Sequence, residues 1–167
     1  MSTDGLLPAD IVALAERVVR ENASAGRKVV LAESCTGGLV AGAITEIAGS
    51  SAVLESSFVT YSNEAKQALL GVPEDIIETF GAVSVACAWA MAEGALRRSD
   101  ADVAVAISGI AGPDGGSAKK PVGMVVFARA LRGEEGQLDA EEKFFEAKGR
   151  AAVRAQAVKV ALELLLP

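Results

Sequence analysis

Histidine is absent from this chain of 167 residues. Any acyl transfer it performs needs a base other than imidazole, and the alternative is a lysine whose proton affinity has been lowered. Aromatic residues make up only 4% of the chain, with Tyr61 the single tyrosine. The apolar content therefore rests on Ala, Val, Leu and Ile. Cysteine is limited to Cys35 and Cys87, which argues against a disulfide framework and fits a reducing cytoplasm. A tetrahedral metal site would have to use those two thiols and carboxylates alone, so neither a metal nor another cofactor is expected. No apolar run reaches the roughly 18 residues of a membrane span. The opening Met1-Ser2-Thr3-Asp4 lacks the basic and apolar regions of a signal peptide. Positive charge is also short: the net charge of −6 argues against a broad nucleic-acid surface, which needs clustered Lys and Arg. One small phosphate held by a local arginine remains compatible with it.

Familiar signatures are missing too. Ser34 lies between Ala32 and Thr36, so it is not the nucleophile of a G-x-S-x-G elbow. Neither G-x-G-x-x-G nor a P-loop occurs, which counts against a dinucleotide-dependent dehydrogenase and an ATPase.

What is present is an alternation of helical and strand patterns. Residues 8–20 carry Ile11, Leu14, Ala15 and Val18 at helical spacing, with Gly26 placed to end the helix in a left-handed conformation. Residues 28–32 form a short buried strand. The pattern then predicts a helix over 38–47, a strand over 57–61, and a helix over 63–70 closed by Gly71. Pro73 opens a further helical turn, with Glu74 and Asp75 near its positive end. A helix over 85–98 follows, then strands over 102–107 and 122–130, a polar edge strand over 139–147, and a last helix over 150–166. No linker or repeat divides the series. The expectation is one three-layer α/β/α domain spanning residues 1–167, with a partly parallel, mixed sheet.

Three polar stretches interrupt this pattern, each where a hydrophobic run ends: Ala32-Glu33-Ser34-Cys35-Thr36-Gly37-Gly38, Tyr61-Ser62-Asn63-Glu64-Ala65-Lys66, and Ser108-Gly109-Ile110-Ala111-Gly112-Pro113-Asp114-Gly115-Gly116. Strand ends of open α/β sheets are where ligands gather. Ser34 at a strand-to-helix junction reads either as an N-cap or as a nucleophile beside free N–H groups, with Gly37 and Gly38 permitting close backbone approach. Cys35 and Thr36 are rival nucleophiles, ranked below Ser34. Lys66 falls in the first turn of its helix, where the macrodipole disfavours a cation; that position and partial burial would prepare it as a base. Serine paired with lysine is a known substitute for the histidine triad. Tyr61 suits a core or rim aromatic, a proton relay, or a stacking surface for a heteroaromatic ring. The long loop over 108–121 has the composition of a functional loop. Arg150 opens the last helix, where a surface arginine and a phosphate ligand are both compatible readings.

These three motifs, in this order, closely resemble the CinA C-terminal domain family from about Ala13 to Leu165. The resemblance implies hydrolysis of the carboxamide of nicotinamide mononucleotide to nicotinate mononucleotide and ammonia. It implies Ser34 as nucleophile, Lys66 as base and Tyr61 nearby. Thr36, Gly37, Gly38, Ser108, Gly109, Gly112 and Arg150 are then the expected substrate-binding positions, with oxyanion donors near Gly37 and Gly38 or in the Ser108–Gly109 segment. Two departures stand out. Ser108 replaces a frequent Thr, and Lys148-Gly149-Arg150 replaces a more usual Gly-Asp-Arg. The larger members carry an additional N-terminal domain, whose activity does not transfer here. The expected partner is a small mononucleotide, with no nucleic acid and no membrane, and the chain is expected to be a cytoplasmic homo-oligomer. The alternative reading is a non-catalytic nucleotide-binding or regulatory domain linked to competence or DNA damage.

Overall fold

The computed structural model describes residues 5–146 and 148–167. In chain order the elements are α1 (Ala9–Ala25), β1 (Val29–Glu33), α2 (Leu39–Thr45), a 3₁₀ turn (Ser50–Ala52), β2 (Leu54–Val59), α3 (Asn63–Leu70), α4 (Glu74–Phe80), α5 (Val85–Arg97), β3 (Val103–Gly109), β4 (Met124–Leu131), β5 (Ala140–Phe144) and α6 (Arg150–Leu164). The strands form one sheet in the order β2-β1-β3-β4-β5. β1 runs parallel to β2 and β3, whereas β4 is antiparallel to β3 and β5. The sheet is mixed and partly parallel, as the alternating pattern implies.

Strand alternation divides the core in two. Val29 and Leu31 of β1 pack with α1, α2 and α6 on one face. Val30 and Ala32 pack with α3, α4 and α5 on the other. All five residues of β1 are buried, the expected state for a parallel strand covered on both sides. Alanine-rich helices can hold this arrangement because small residues let elements approach closely. Gly94 of α5 shows the limit: a Cβ there would lie 2.0 Å from the Leu70 carbonyl oxygen. The last turn of α3 therefore rests directly on the α5 backbone, which fixes the helix that carries Lys66.

Element boundaries follow local chemistry. Ser62 caps α3 by accepting the Ala65 N–H at 3.0 Å, and Gly71 ends it in the left-handed conformation. α2 is shorter than the expected 38–47. β2 begins earlier and ends earlier than the expected 57–61, because pairing with β1 recruits Leu54 to Ser56 despite their weak alternation. The last bond on that side runs from the Thr60 N–H to the Glu33 carbonyl, after which the chain turns into the α3 cap. The polar edge strand covers Ala140–Phe144; Ala147, the end of the expected span, lies outside the described residues, as do Met1 to Asp4.

Candidate active site

β1, β2 and β3 point the same way, so their C-terminal ends meet at one edge of the sheet. The chain leaves β1 for β2 on one side and then crosses to β3 on the other. That reversal of strand order opens a crevice beyond β1 and β3. Ser34 follows β1, Tyr61 follows β2, and Ser108 and Gly109 end β3. β5 also runs in this direction, so α6 begins at the same edge with Arg150. The three polar motifs, far apart in sequence, come together around a cleft of about 170 Å³ whose lining includes Ser34, Cys35, Tyr61, Lys66, Ser108, Gly109 and Arg150.

Ser34 is anchored through its backbone. Its N–H donates to the Ile107 carbonyl at 3.0 Å, continuing the β1–β3 ladder by one step. Its side chain meets Lys66, whose Nζ lies 3.0 Å from Ser34 Oγ. Lys66 is only 1% exposed, and its other two hydrogen bonds go to carbonyls, Thr60 O at 2.8 Å and Tyr61 O at 3.2 Å. Burial lowers the Lys66 pKa from the ordinary lysine value, outweighing an opposing influence of the Cys87 and Cys35 thiols. A neutral amine has two N–H groups and one lone pair. With both N–H groups committed to the two carbonyls, the lone pair faces the Ser34 hydroxyl, the geometry of a general base.

The turn over 34–38 has two charged supports. From below, the Glu33 carboxylate accepts the Thr36 hydroxyl at 2.7 Å, the Val40 N–H at 3.0 Å, the Ala41 N–H at 3.1 Å and the Ser57 hydroxyl at 3.2 Å. From the side, Arg154 of α6 donates Nε to the Cys35 carbonyl at 3.0 Å and Nη2 to the Thr36 carbonyl at 3.3 Å. The N-cap expectation for Ser34 is thereby corrected. Glu33 takes the Val40 and Ala41 N–H groups in the first turn of α2, because the chain needs four turn residues after Ser34 before the helix starts at Leu39. Gly37 and Gly38 lie in the left-handed region at φ 59° and 96°, which a side chain would strain.

Of the expected oxyanion donors near Gly37 and Gly38, one is already engaged, while no acceptor takes the Gly38 N–H among the described residues. The Gly37 N–H is spent on the Ser34 carbonyl at 3.0 Å. Among the described residues, no acceptor takes the N–H of Cys35 or Thr36. Gly109 is similar. Bonds from Ile110 to Met124 and from Arg132 to Asp102 put the even-numbered N–H groups of β3 toward β4. The Gly109 N–H consequently faces the β1 side, one step past the last β1 bond. A Cβ on Gly109 would lie 3.1 Å from Cys35 Sγ and 2.7 Å from Val125 Cγ2, so this close approach requires glycine. Burial pushes the Cys35 thiol up to about 11.

Tyr61 is 62% exposed. Its hydroxyl accepts from Arg150 Nη2 at 3.0 Å, while Arg150 Nη1 donates to the Gly112 carbonyl at 2.7 Å. Ser108 donates its hydroxyl to the Ala82 carbonyl at 2.8 Å, fixing the segment before α5 against the cleft. Of the expected positions, Ser34, Lys66, Tyr61, Ser108, Gly109 and Arg150 line the cleft. Thr36, Gly37, Gly38 and Gly112 do not; they shape the turn and hold Arg150. Sequence reasoning missed Glu33 and Arg154. The first sat inside a quoted motif, and the second lies four residues after Arg150, hence on the same helix face. Among the described residues no cluster of three or more His, Cys, Asp or Glu is placed to hold a metal ion, and no helix is long and apolar enough to cross a membrane.

The family model of the CinA C-terminal domain matches residues 11–167. The nicotinamide-nucleotide amidohydrolase PncC of Escherichia coli strain K12 is 51% identical over 156 residues, covering 93% of both chains. A protein of Symbiobacterium thermophilum named for competence and damage induction is 58% identical over 131 residues, 78% of this chain; the chain spans only 31% of that longer relative. The crystal structure of the competence/damage inducible protein CihA from Agrobacterium tumefaciens superposes with a TM-score of 0.92 at 52% identity, covering 99% of this chain and 97% of that one.

Proposed function

This chain belongs to the CinA C-terminal domain family, and on that premise we propose that it hydrolyses the carboxamide of nicotinamide mononucleotide, giving nicotinate mononucleotide and ammonia. The similarity to PncC extends over nearly the full length of both chains. The observation that carries the mechanism is the buried Lys66 amine 3.0 Å from Ser34 Oγ, with two carbonyls taking its remaining bonds.

Lys66 takes the proton of Ser34 as Oγ attacks the carboxamide carbon. The carbonyl oxygen becomes an oxyanion, and the free N–H groups of Cys35 and Gly109 supply its donors. Each such donor contributes on the order of 3 kcal/mol to the transition state. Lys66 then returns the proton to the amide nitrogen, the C–N bond breaks, and ammonia leaves an acyl ester on Ser34. Water, deprotonated by Lys66, attacks that ester; Oγ regains its proton as the acid departs. Arg150, steadied by Gly112 and Tyr61 at the rim, selects the phosphate. Tyr61 offers its ring to the pyridine.

The substrate is a free mononucleotide rather than nucleic acid, in keeping with the net charge of −6. The same reading takes residues 1–167 as one amidohydrolase domain acting in the cytoplasm as a homo-oligomer. A non-catalytic binding domain gains no support, since it has no use for a buried amine aimed at a hydroxyl. The decisive assay is ammonia release from nicotinamide mononucleotide, with the riboside and the dinucleotide as comparisons. Turnover of the mononucleotide above both is the expected result; tight binding without ammonia would overturn the enzymatic reading.

A further inference from the structure

We infer that Arg154 is a positioning residue for acyl transfer, acting through the backbone of Cys35 and Thr36 rather than on the substrate. The inference rests on the Ser34–Lys66 reading above. Arg154 does not line the cleft. Its guanidinium instead spans two successive carbonyls of the turn, Cys35 O at 3.0 Å and Thr36 O at 3.3 Å, and it packs beside Gly37, where a Cβ would lie 3.4 Å from Nη2.

Carbonyl and N–H point in opposite directions across a trans peptide. Holding the Cys35 carbonyl toward α6 therefore turns the Thr36 N–H away from α6. The preceding peptide is fixed in the same manner, since the Ser34 carbonyl is tied to the Gly37 N–H. Between these two held planes sits Cys35, whose own N–H is free and borders the cleft. Charge-assisted bonds from a planar fork fix two acceptors at once, so the Cys35–Thr36 plane is held and, with it, the Cys35 Cα to which the donor N–H of the preceding peptide is attached. Glu33 cannot do this work. It grips N–H groups further on, at Val40 and Ala41; the Thr36 carbonyl is shared between Arg154 and the Leu39 N–H at 3.1 Å, and the Cys35 carbonyl is left to Arg154. Arg154 is thus the only side chain among the described residues that bonds to the backbone of Cys35 or Thr36.

A residue that aims a donor without touching substrate alters kcat and leaves KM alone. The test compares the full chain with Arg154→Met and Arg154→Lys, using three readouts. The first is steady-state turnover of nicotinamide mononucleotide. The second is inhibition by nicotinate mononucleotide, which reports ground-state binding. The third is the rate at which a fluorophosphonate labels Ser34. In that reaction the P–F bond breaks, a P–Oγ bond forms, fluoride leaves and the Ser34 proton passes to Lys66, so it tests the oxyanion donors without any amide substrate. Arg154→Met should lower kcat and the labelling rate together, by about ten- to a hundredfold, with KM and product inhibition nearly unchanged. Arg154→Lys should recover part of both, since an ammonium can reach one carbonyl. A raised KM with normal kcat would make Arg154 a substrate-field residue and overturn the inference, as would unchanged labelling. If Arg154→Met fails to fold, Arg154→Lys carries the same comparison. Failure of the unmodified chain to release ammonia, with Ser34 still labelled and labelling still dependent on Arg154, would overturn the substrate assignment and leave this inference standing.

Discussion

The Tyr61 hydroxyl and Arg150 Nη2 lie 3.0 Å apart, joining the segment after β2 to the first residue of α6 across the mouth of the cleft. The bond places Tyr61 beside Arg150, the proposed phosphate ligand; its hydroxyl makes no hydrogen bond to Ser34 or Lys66 among the described residues. A proton-relay role for that hydroxyl accordingly lacks a hydrogen-bonded path, and the expected consequences concern selectivity. Arg150→Ala should reduce the preference for the mononucleotide over the riboside by about ten- to a hundredfold, the value of one charge-assisted bond of roughly 1.5–3 kcal/mol. Tyr61→Phe, which keeps the ring and removes the partner of Arg150, should shift the same ratio in the same direction by less. Comparing kcat/KM for both substrates checks this. Equal losses on the two substrates would take Arg150 out of phosphate recognition.

Ser34→Ala should lower kcat by at least about a thousandfold, the scale seen when a nucleophile is removed from a covalent mechanism. Stability should change by no more than about 1 kcal/mol, because only a single hydrogen bond is lost and the cap of α2 belongs to Glu33. Turnover and the thermal midpoint, measured on the same preparation, separate the two effects. Substantial residual turnover would remove Ser34 from the chemistry.

Cys35 stands next to Ser34, the proposed nucleophile, but is poorly suited to replace it. The thiolate is the reactive form, and burial raises this thiol to about 11. Cys35→Ala should retain turnover within a few-fold, and iodoacetamide at neutral pH should leave Cys35 unmodified in the folded chain. A loss as deep as that of Ser34→Ala would reassign the nucleophile.

Much of this arrangement could be read from local sequence, and the exceptions share a cause. The bounds of α3 follow from Ser62 and Gly71, which act within one turn of themselves. The meeting of the three motifs follows from strand ends sharing an edge. Glu33 was hidden because its role depends on where α2 begins, which two left-handed glycines and a four-residue turn decide together. Arg154 was hidden because its partners are backbone carbonyls more than a hundred residues away, and carbonyls carry no sequence signal. β2 departs from its expected span for a similar reason: its pairing with β1, rather than its own alternation, extends it to Leu54.

The depressed proton affinity of Lys66 links activity to stability, and the signs differ from those of an ion-paired lysine. Activity should rise with pH as Lys66 loses its proton, with a midpoint below the ordinary lysine value of about 10.4. Lys66→Arg should be inactive across that range, since guanidinium stays protonated. For stability, the unfolded chain holds the lysine proton up to about pH 10.4, whereas the folded chain releases it earlier. Below the folded pKa both states are protonated, and the native state bears the full cost of a buried ammonium. Between the two values the unfolded state binds more protons, so the unfolding free energy rises with pH, by at most about 1.4 kcal/mol per unit. Lys66→Met has no such proton to lose. The unfolding free energy of the parent minus that of Lys66→Met should therefore stay level at lower pH and climb through the window beneath about pH 10.4. Urea titrations of both proteins at several pH values measure it directly. A difference that falls with rising pH would mean the native state favours the ammonium, and Lys66 would then be a donor to Ser34 instead of its base.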